Sequence, residues 1–378
     1  MMGDMDETIL QFGTGKFLRC FSDLFLHEAN DVGQPAGRVV ALQSTGAGRA
    51  DDLNRQHGRY HVAVRGLQDG QPVDHTLEVR SIGRALAAQR DWPDVLAAAC
   101  VPTLRAVVSN TTEAGYALDT EDAAVDAPPR SFPAKLLRLL EARHAAGLPS
   151  VALLPCELLD GNADRLRGLV LEQARRWQLP GSSQAWIAAE CSWHNTLVDR
   201  IVSAPRADDP LAVGDPLFAV AEPFALWLVE GLPAVPGLVD HPAVRSVADV
   251  TPYALRKVRI LNGAHTALVA KARPLGFETV REAVADPQIG PWLRSLLLEE
   301  IVPTIEDRTE DAAQFARDVL ERFANPFLDH RLADIALHHD VKLETRLAPT
   351  FREYCRQFGH GPKLLGEIVV LAPADARP

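Results

Sequence analysis

Cysteine is scarce in this chain and badly placed for either of its structural uses. The 378 residues hold five of them, Cys20, Cys100, Cys156, Cys191 and Cys355, widely spread and with no CxxC pair. An odd, scattered set argues against a disulfide framework and against a structural zinc site. No apolar run reaches the length of about eighteen residues that a membrane-crossing helix needs. The opening MMGDMDETILQF lacks the basic start and apolar stretch of a secretory leader, so the expected compartment is the cytoplasm. Positive charge is the other shortfall: 39 Lys and Arg against 50 Asp and Glu leave a net charge of −11. That argues against nucleic acid or an anionic membrane as a partner, and it requires a local basic pocket if the substrate is an anion. What remains is an ordinary globular composition, 47% hydrophobic and 24% charged, in a chain long enough for two domains.

The N-terminal half alternates strands and helices, the pattern of a doubly wound α/β sheet. An apolar strand at 8–12 runs into Gly13-Thr14-Gly15-Lys16-Phe17, after which Phe17, Leu18, Phe21, Leu24 and Phe25 recur at helical spacing. Strand, glycine turn and helix in that order are what a dinucleotide fold uses. The first glycine turns the chain, and the second lets the backbone approach a pyrophosphate at the helix start. Leu18 stands where a third glycine is usual, and a plain tight turn fits the GxG equally well. The second strand, 38–43, ends in Gln43-Ser44, without the acidic residue that often meets the adenine ribose. That departure weakens any claim of NAD over NADP at this point, and Arg49 is either a contact to a 2′-phosphate or a solvated loop residue. Asp69-Gly70 between 60–67 and 71–82 predicts a hairpin. Further strands are expected at 104–109 and 151–155 and helices at 136–144 and 162–177. Asn110 and Thr111 follow the first of these strands, where such folds bind ligands. The stretch 203–216 reads as a loop, and 222–230 as partly strand.

From residue 251 helical periodicity dominates, with helices expected over 252–272, 291–301, 312–323, 328–338 and 351–358. The expected division is a Rossmann-type dinucleotide-binding domain over 1–247 and a mostly α-helical catalytic domain over 248–378. Within the first helix, Lys257, Asn262 and His265 lie five and then three residues apart. At about 100° per residue, Asn262 falls about 140° around from Lys257 and His265 about 80° around, inside one arc. An amine, a neutral amide and an imidazole there suit proton movement at an alcohol or carbonyl. An amphipathic helix with solvated Lys and Asn and a packed His fits the same spacing. His338-His339 beside Asp340 is not expected to hold a metal, since adjacent helical residues point about 100° apart.

Taken together, QFGTGKFLRCF (11–21), VSNTTEAG (108–115), NTLVDRIV (195–202), KVRILNGAHT (257–266), NPFLDHRLADIAL (325–337) and KLETRLAP (342–349) resemble the mannitol dehydrogenase family, the polyol-specific long-chain dehydrogenases and reductases. The motifs cover most of the chain in the right order. SNTTEAG, SFPAKLL (131–137) and LPCELLDGN (154–162) are most similar to its tagaturonate reductase (altronate oxidoreductase) branch. The resemblance implies a zinc-independent enzyme that moves hydride between NAD and an open-chain sugar acid, with a fructuronate reductase, a mannitol dehydrogenase or a non-catalytic dinucleotide sensor as alternatives. It implies Lys257 as the acid–base, Asn195 and Asn262 as donors to the developing alkoxide, and His265 as an orienting residue. Gly13, Thr14, Gly15, Lys16, Phe17, Ser44, Asn110 and Thr111 are then expected at the cofactor, and Arg331, Arg200 and Lys342 at the substrate. The helical domain is expected to be shorter than is usual in the family.

Overall fold

The computed structural model describes residues 5–46, 48–124, 127–206, 208–231, 233, 235, 238 and 240–369. It divides into two compact units, one of Met1–Val64 with His75–Val250 and one of Arg65–Asp74 with Thr251–Pro378.

The first unit is built on apolar runs such as Val39 to Leu42, buried almost completely along their length. Strands with no polar face belong in a parallel sheet covered on both sides. Six of them pair in parallel, in the spatial order Ile82–Ala87, Arg38–Gln43, Glu7–Phe12, Ala106–Ser109, Ala152–Pro155, Ser192–Trp193. Counted along the chain this is 3-2-1-4-5-6, the order of a dinucleotide-binding fold. Its direction reverses between the first and fourth strands, which opens a crevice at their carboxyl ends. On one face Leu10, Phe12, Val40 and Leu42 pack with Leu136, Leu140, Leu166 and Val170, from the helices Phe132–Ala145 and Asn162–Arg176.

Several local expectations need revision. The second hairpin arm ends at Val79, and Ile82–Ala87 is a separate strand of the parallel sheet. Within the expected loop 203–216, Pro210–Gly214 is helical, because Pro210 opens a turn whose Leu211 amide donates to the Asp209 carboxylate at 3.1 Å. The Asp69-Gly70 turn forms as expected, with φ of 53° and 73°, both positive as a type I′ hairpin turn requires.

The second unit is helical. Its first helix runs unbroken from 251 to 272, but Lys257–Asn262 is a π-turn set between α-helical Thr251–Arg256 and Gly263–Ala272. Two more π-turns, Leu296–Ile301 and Leu343–Leu347, follow Ile289–Ser295 and precede Ala348–Phe358. The three meet at Gly263, where an added Cβ would lie 3.4 Å from the Leu347 side chain and 3.9 Å from that of Ile301. Ala312–Phe323 forms as expected, whereas the expected helix 328–338 shrinks to Leu332–Ile335. His338, at φ 55°, stops any continuation. Among the described residues no helix is long and apolar enough to cross a membrane.

Candidate active site

The crevice of the first unit is a cleft of about 780 Å³ whose lining includes Gly13, Thr14, Ser44, Asn110 and Thr111. Gly13 takes φ +127°, and a Cβ there would press on the Asn110 carbonyl at 3.1 Å and on Leu18 at 3.2 Å. The turn itself therefore demands glycine. Gly15 has an ordinary φ of −67°, and a Cβ on it would meet no protein atom within 4 Å. The open space before it is what a ligand approaching the backbone needs. Gly15, Lys16 and Phe17 do not themselves line the cleft. Phe17 stacks on Phe21 at 5.0 Å, and Leu18, in place of the third glycine, is buried against Gly13.

Beyond the second strand, the Gln43 amide is spent on the backbone, donating to the Thr45 carbonyl at 2.8 Å and accepting from the Ala50 amide at 2.8 Å. Ser44 Oγ is buried with no hydrogen-bond partner among the described residues. Ser44 as a residue lines the cleft, and a buried hydroxyl without a partner is costly to keep. Arg49 is exposed against the Pro216 carbonyl at 3.4 Å.

The loop after the fourth strand is organised by a residue not singled out in the sequence, Glu157. Its buried carboxylate accepts from Ser109 Oγ (3.0 Å), the Thr111 amide (2.9 Å), Thr111 Oγ1 (3.1 Å) and Tyr116 Oη (3.1 Å). Four donors fix the wall of the cleft and hold Thr112 at the strained φ of 135°. Lys135, from SFPAKLL, also lines the cleft. Its Nζ donates to the Arg130 carbonyl at 2.6 Å, and burial lowers its pKa.

The second unit carries the amine, amide and imidazole. A π-turn closes i→i+5 rather than i→i+4, so Lys257 and Asn262 lie closer together around the axis than the about 140° of a regular α-helix. Asn262 is half-buried, and its side-chain amide makes no hydrogen bond among the described residues. His265 is buried, its ring tilted at 35° against Phe323 at 4.3 Å and edge-on to His330 at 4.8 Å. Burial first, then His330, Arg322 and Arg346, hold its pKa well below the ordinary value. It hydrogen-bonds the Leu261 carbonyl, while Nε2 is buried without a partner among the described residues. The ring is thus a neutral imidazole whose free nitrogen can accept.

Other candidates land differently. Asn195, in the first unit, has its amide fully used. Oδ1 accepts from the Ala163 and Asp164 amides at the start of Asn162–Arg176, and Nδ2 donates to Asp164 at 2.8 Å and Glu230 at 3.0 Å. It is not available as a donor in this arrangement. Arg200 donates from Nε to the Glu222 carbonyl (3.0 Å) and from Nη1 to the Cys20 carbonyl (2.8 Å), binding two backbone segments together. Arg331 is exposed at the start of Leu332–Ile335, and Lys342 Nζ is held on the Ile335 carbonyl at 2.7 Å. Among the described residues no three His, Cys, Asp or Glu side chains gather as metal ligands.

Residues 7–239 match the model of the mannitol dehydrogenase Rossmann domain, and 249–372 that of the mannitol dehydrogenase C-terminal domain. The altronate oxidoreductase of Bacillus subtilis (strain 168) is 38% identical over 377 residues, 95% of this chain and 77% of the relative. That of Halalkalibacterium halodurans is 39% identical over 378 residues, 96% of this chain and 73% of the relative. Two solved structures share the fold. A D-sorbitol dehydrogenase in substrate-free form has TM-score 0.81 at 24% identity, covering 94% of this chain and 77% of that one. The mannitol 2-dehydrogenase of Pseudomonas fluorescens, in ternary complex with NAD and D-mannitol, has TM-score 0.79 at 22% identity, covering 98% and 79%. Matched along nearly its whole length, the chain belongs to the mannitol dehydrogenase family.

Proposed function

We propose that this protein is an NAD-dependent oxidoreductase that interconverts tagaturonate and altronate. Residues 1–247 bind the dinucleotide, and the helical residues 248–378 act on the sugar acid. The observation that carries the reading is the helix 251–272, on which Lys257, an uncommitted Asn262 amide and a neutral His265 with a free Nε2 share one stretch. When bound, the nicotinamide supplies or takes the hydride. In reduction Lys257 gives a proton to the substrate's carbonyl oxygen, and in oxidation it removes one from the hydroxyl. Asn262 donates to that oxygen as negative charge develops on it. His265 Nε2 accepts from a neighbouring hydroxyl and fixes the substrate's orientation. Asn195 can act as a donor only by releasing Asp164 or Glu230.

The sugar acid is favoured over a neutral polyol by the relatives at 38–39% identity, which are named altronate oxidoreductase. The test is a panel of keto-hexuronates and ketoses with NADH, followed by nicotinamide absorbance. Tagaturonate is expected to show the highest kcat/KM, and faster reduction of fructose would overturn the assignment. For the cofactor, Gln43 offers no carboxylate to repel a 2′-phosphate, so the preference for NADH over NADPH is expected to be modest. About tenfold in kcat/KM corresponds to roughly 1.4 kcal/mol. A strong NADPH preference would turn attention to Arg49. Five free cysteines suit the reducing cytoplasm as the place of action.

A further inference from the structure

An acidic chain that takes an anionic substrate needs concentrated positive charge where that substrate lies. In the second unit such charge surrounds His265. Arg322 and Arg346 are near enough to disfavour protonation of the ring, and the groups that act on it most include no carboxylate. Arg346 lies half-buried within the π-turn Leu343–Leu347, with one long hydrogen bond, from Nη1 to Thr266 Oγ1 at 3.4 Å. No carboxylate pairs with it among the described residues. Other arginines of this unit are matched, Arg259 to Glu353 at 3.2 Å and Arg281 to Asp329 at 3.0 Å. A desolvated guanidinium without a counter-charge is costly to keep, and burial lowers its pKa accordingly.

Position gives the unmatched charge a use. Thr266 follows His265 directly, and its Oγ1 also donates to the Asn262 carbonyl at 2.9 Å. The Arg346 guanidinium therefore reaches the same helical turn that presents Asn262 and His265. Lys342 lies close by, with its own pKa lowered by burial and by Arg346, so the local potential is positive.

We infer that Arg346 is the specificity-determining residue for an anionic substrate, its guanidinium binding the carboxylate of an open-chain sugar acid whose hydroxyls meet Asn262 and His265. Nε and Nη2 remain for a two-point contact, which a planar fork makes and an ammonium does not. The inference rests on the sugar-acid reading above, and it displaces Arg331 and Arg200 from that part. Arg331 is exposed, and Arg200 is committed to backbone carbonyls.

The experiment compares kcat/KM for tagaturonate and for its neutral analogue tagatose, with NADH, in wild type, Arg346→Met and Arg346→Lys. Thermal midpoints identify any variant that fails to fold. Losing a charge-assisted contact is worth about 10- to 150-fold in binding. Arg346→Met should lower the acid-to-ketose ratio within that range, through KM more than kcat, and Arg346→Lys should recover part of it. An unchanged ratio in a folded Arg346→Met overturns the inference alone. So do equal losses on both substrates that Arg346→Lys fails to repair, since those mark a packing residue. A wild type that does not prefer the acid overturns the sugar-acid reading itself, whatever the variants do.

Discussion

Lys257→Ala is expected to lower turnover by about two to four orders of magnitude, the usual range for loss of a general acid–base. NADH affinity should be unchanged, because the cleft lined by Gly13, Ser44 and Asn110 belongs to the first unit and contains no part of the helix 251–272. Lys257→Arg sharpens the test. It keeps the positive charge but cannot release a proton near neutrality, so it should be nearly as slow as the alanine variant. Fluorescence titration with NADH and steady-state kinetics across pH separate the two quantities. Near-normal turnover in Lys257→Ala with an unaltered pH profile would make Lys257 a bystander.

The second large effect is on stability, and it comes from an acid outside the chemistry. Asp23 is fully buried beneath the glycine turn, accepting from Gln11 Nε2 at 3.1 Å and from Ser22 Oγ at 3.5 Å. Burial, opposed by these bonds and by Arg19, pushes its carboxyl up to about 7. In the unfolded chain it titrates near 3.9. Between those values the folded state holds a proton that the unfolded state has lost, so this group's contribution falls as pH rises, by about 1.4 kcal/mol per unit. From pH 5 to 7 the loss is roughly 2 kcal/mol. His27, His265, His330 and His339, whose burial lowers their pKa values, act in the opposite sense. Their contribution grows as pH rises toward the unfolded value of about 6.5. Asp23→Asn isolates the acid. Its unfolding free energy relative to wild type should improve by roughly 2 kcal/mol between pH 5 and 7, measured by denaturant titration at both. The same difference at both pH values would mean that Asp23 has one protonation state throughout.

Much of this architecture can be read from residue order because it rests on local chemistry. Gly13 after an apolar strand, and Asp69-Gly70 between alternating runs, sit at positive φ that such residues readily supply. The π-turn at Lys257–Asn262 was not legible. Six residues are too few to separate a period of 3.6 from a wider one, and what accommodates it is packing against Leu347 and Ile301, far along the chain. The parts played by Asn195, Glu157 and Arg346 were hidden for a related reason. A polar side chain's role depends on its partners, and those of Asn195 lie 31 to 35 residues away. Spacing places a residue on a surface but does not say whether its donors are already taken.

The hairpin tip Arg65–Asp74 counts with the second unit although more than 170 residues separate it from Thr251. The chain therefore crosses between units three times, at Val64, at Asp74 and at Val250. The tip is bonded where it lies: Asn325 Nδ2 donates to the Arg65 carbonyl at 3.1 Å, and the Gly70 amide donates to Glu321. Asn325 is almost wholly buried, so without the tip its amide would lose its acceptor in a place water reaches poorly. The helical half is consequently not a module that one cut could release. Any exchange of that half between relatives, in the laboratory or in evolution, has to carry ten residues of the other half with it.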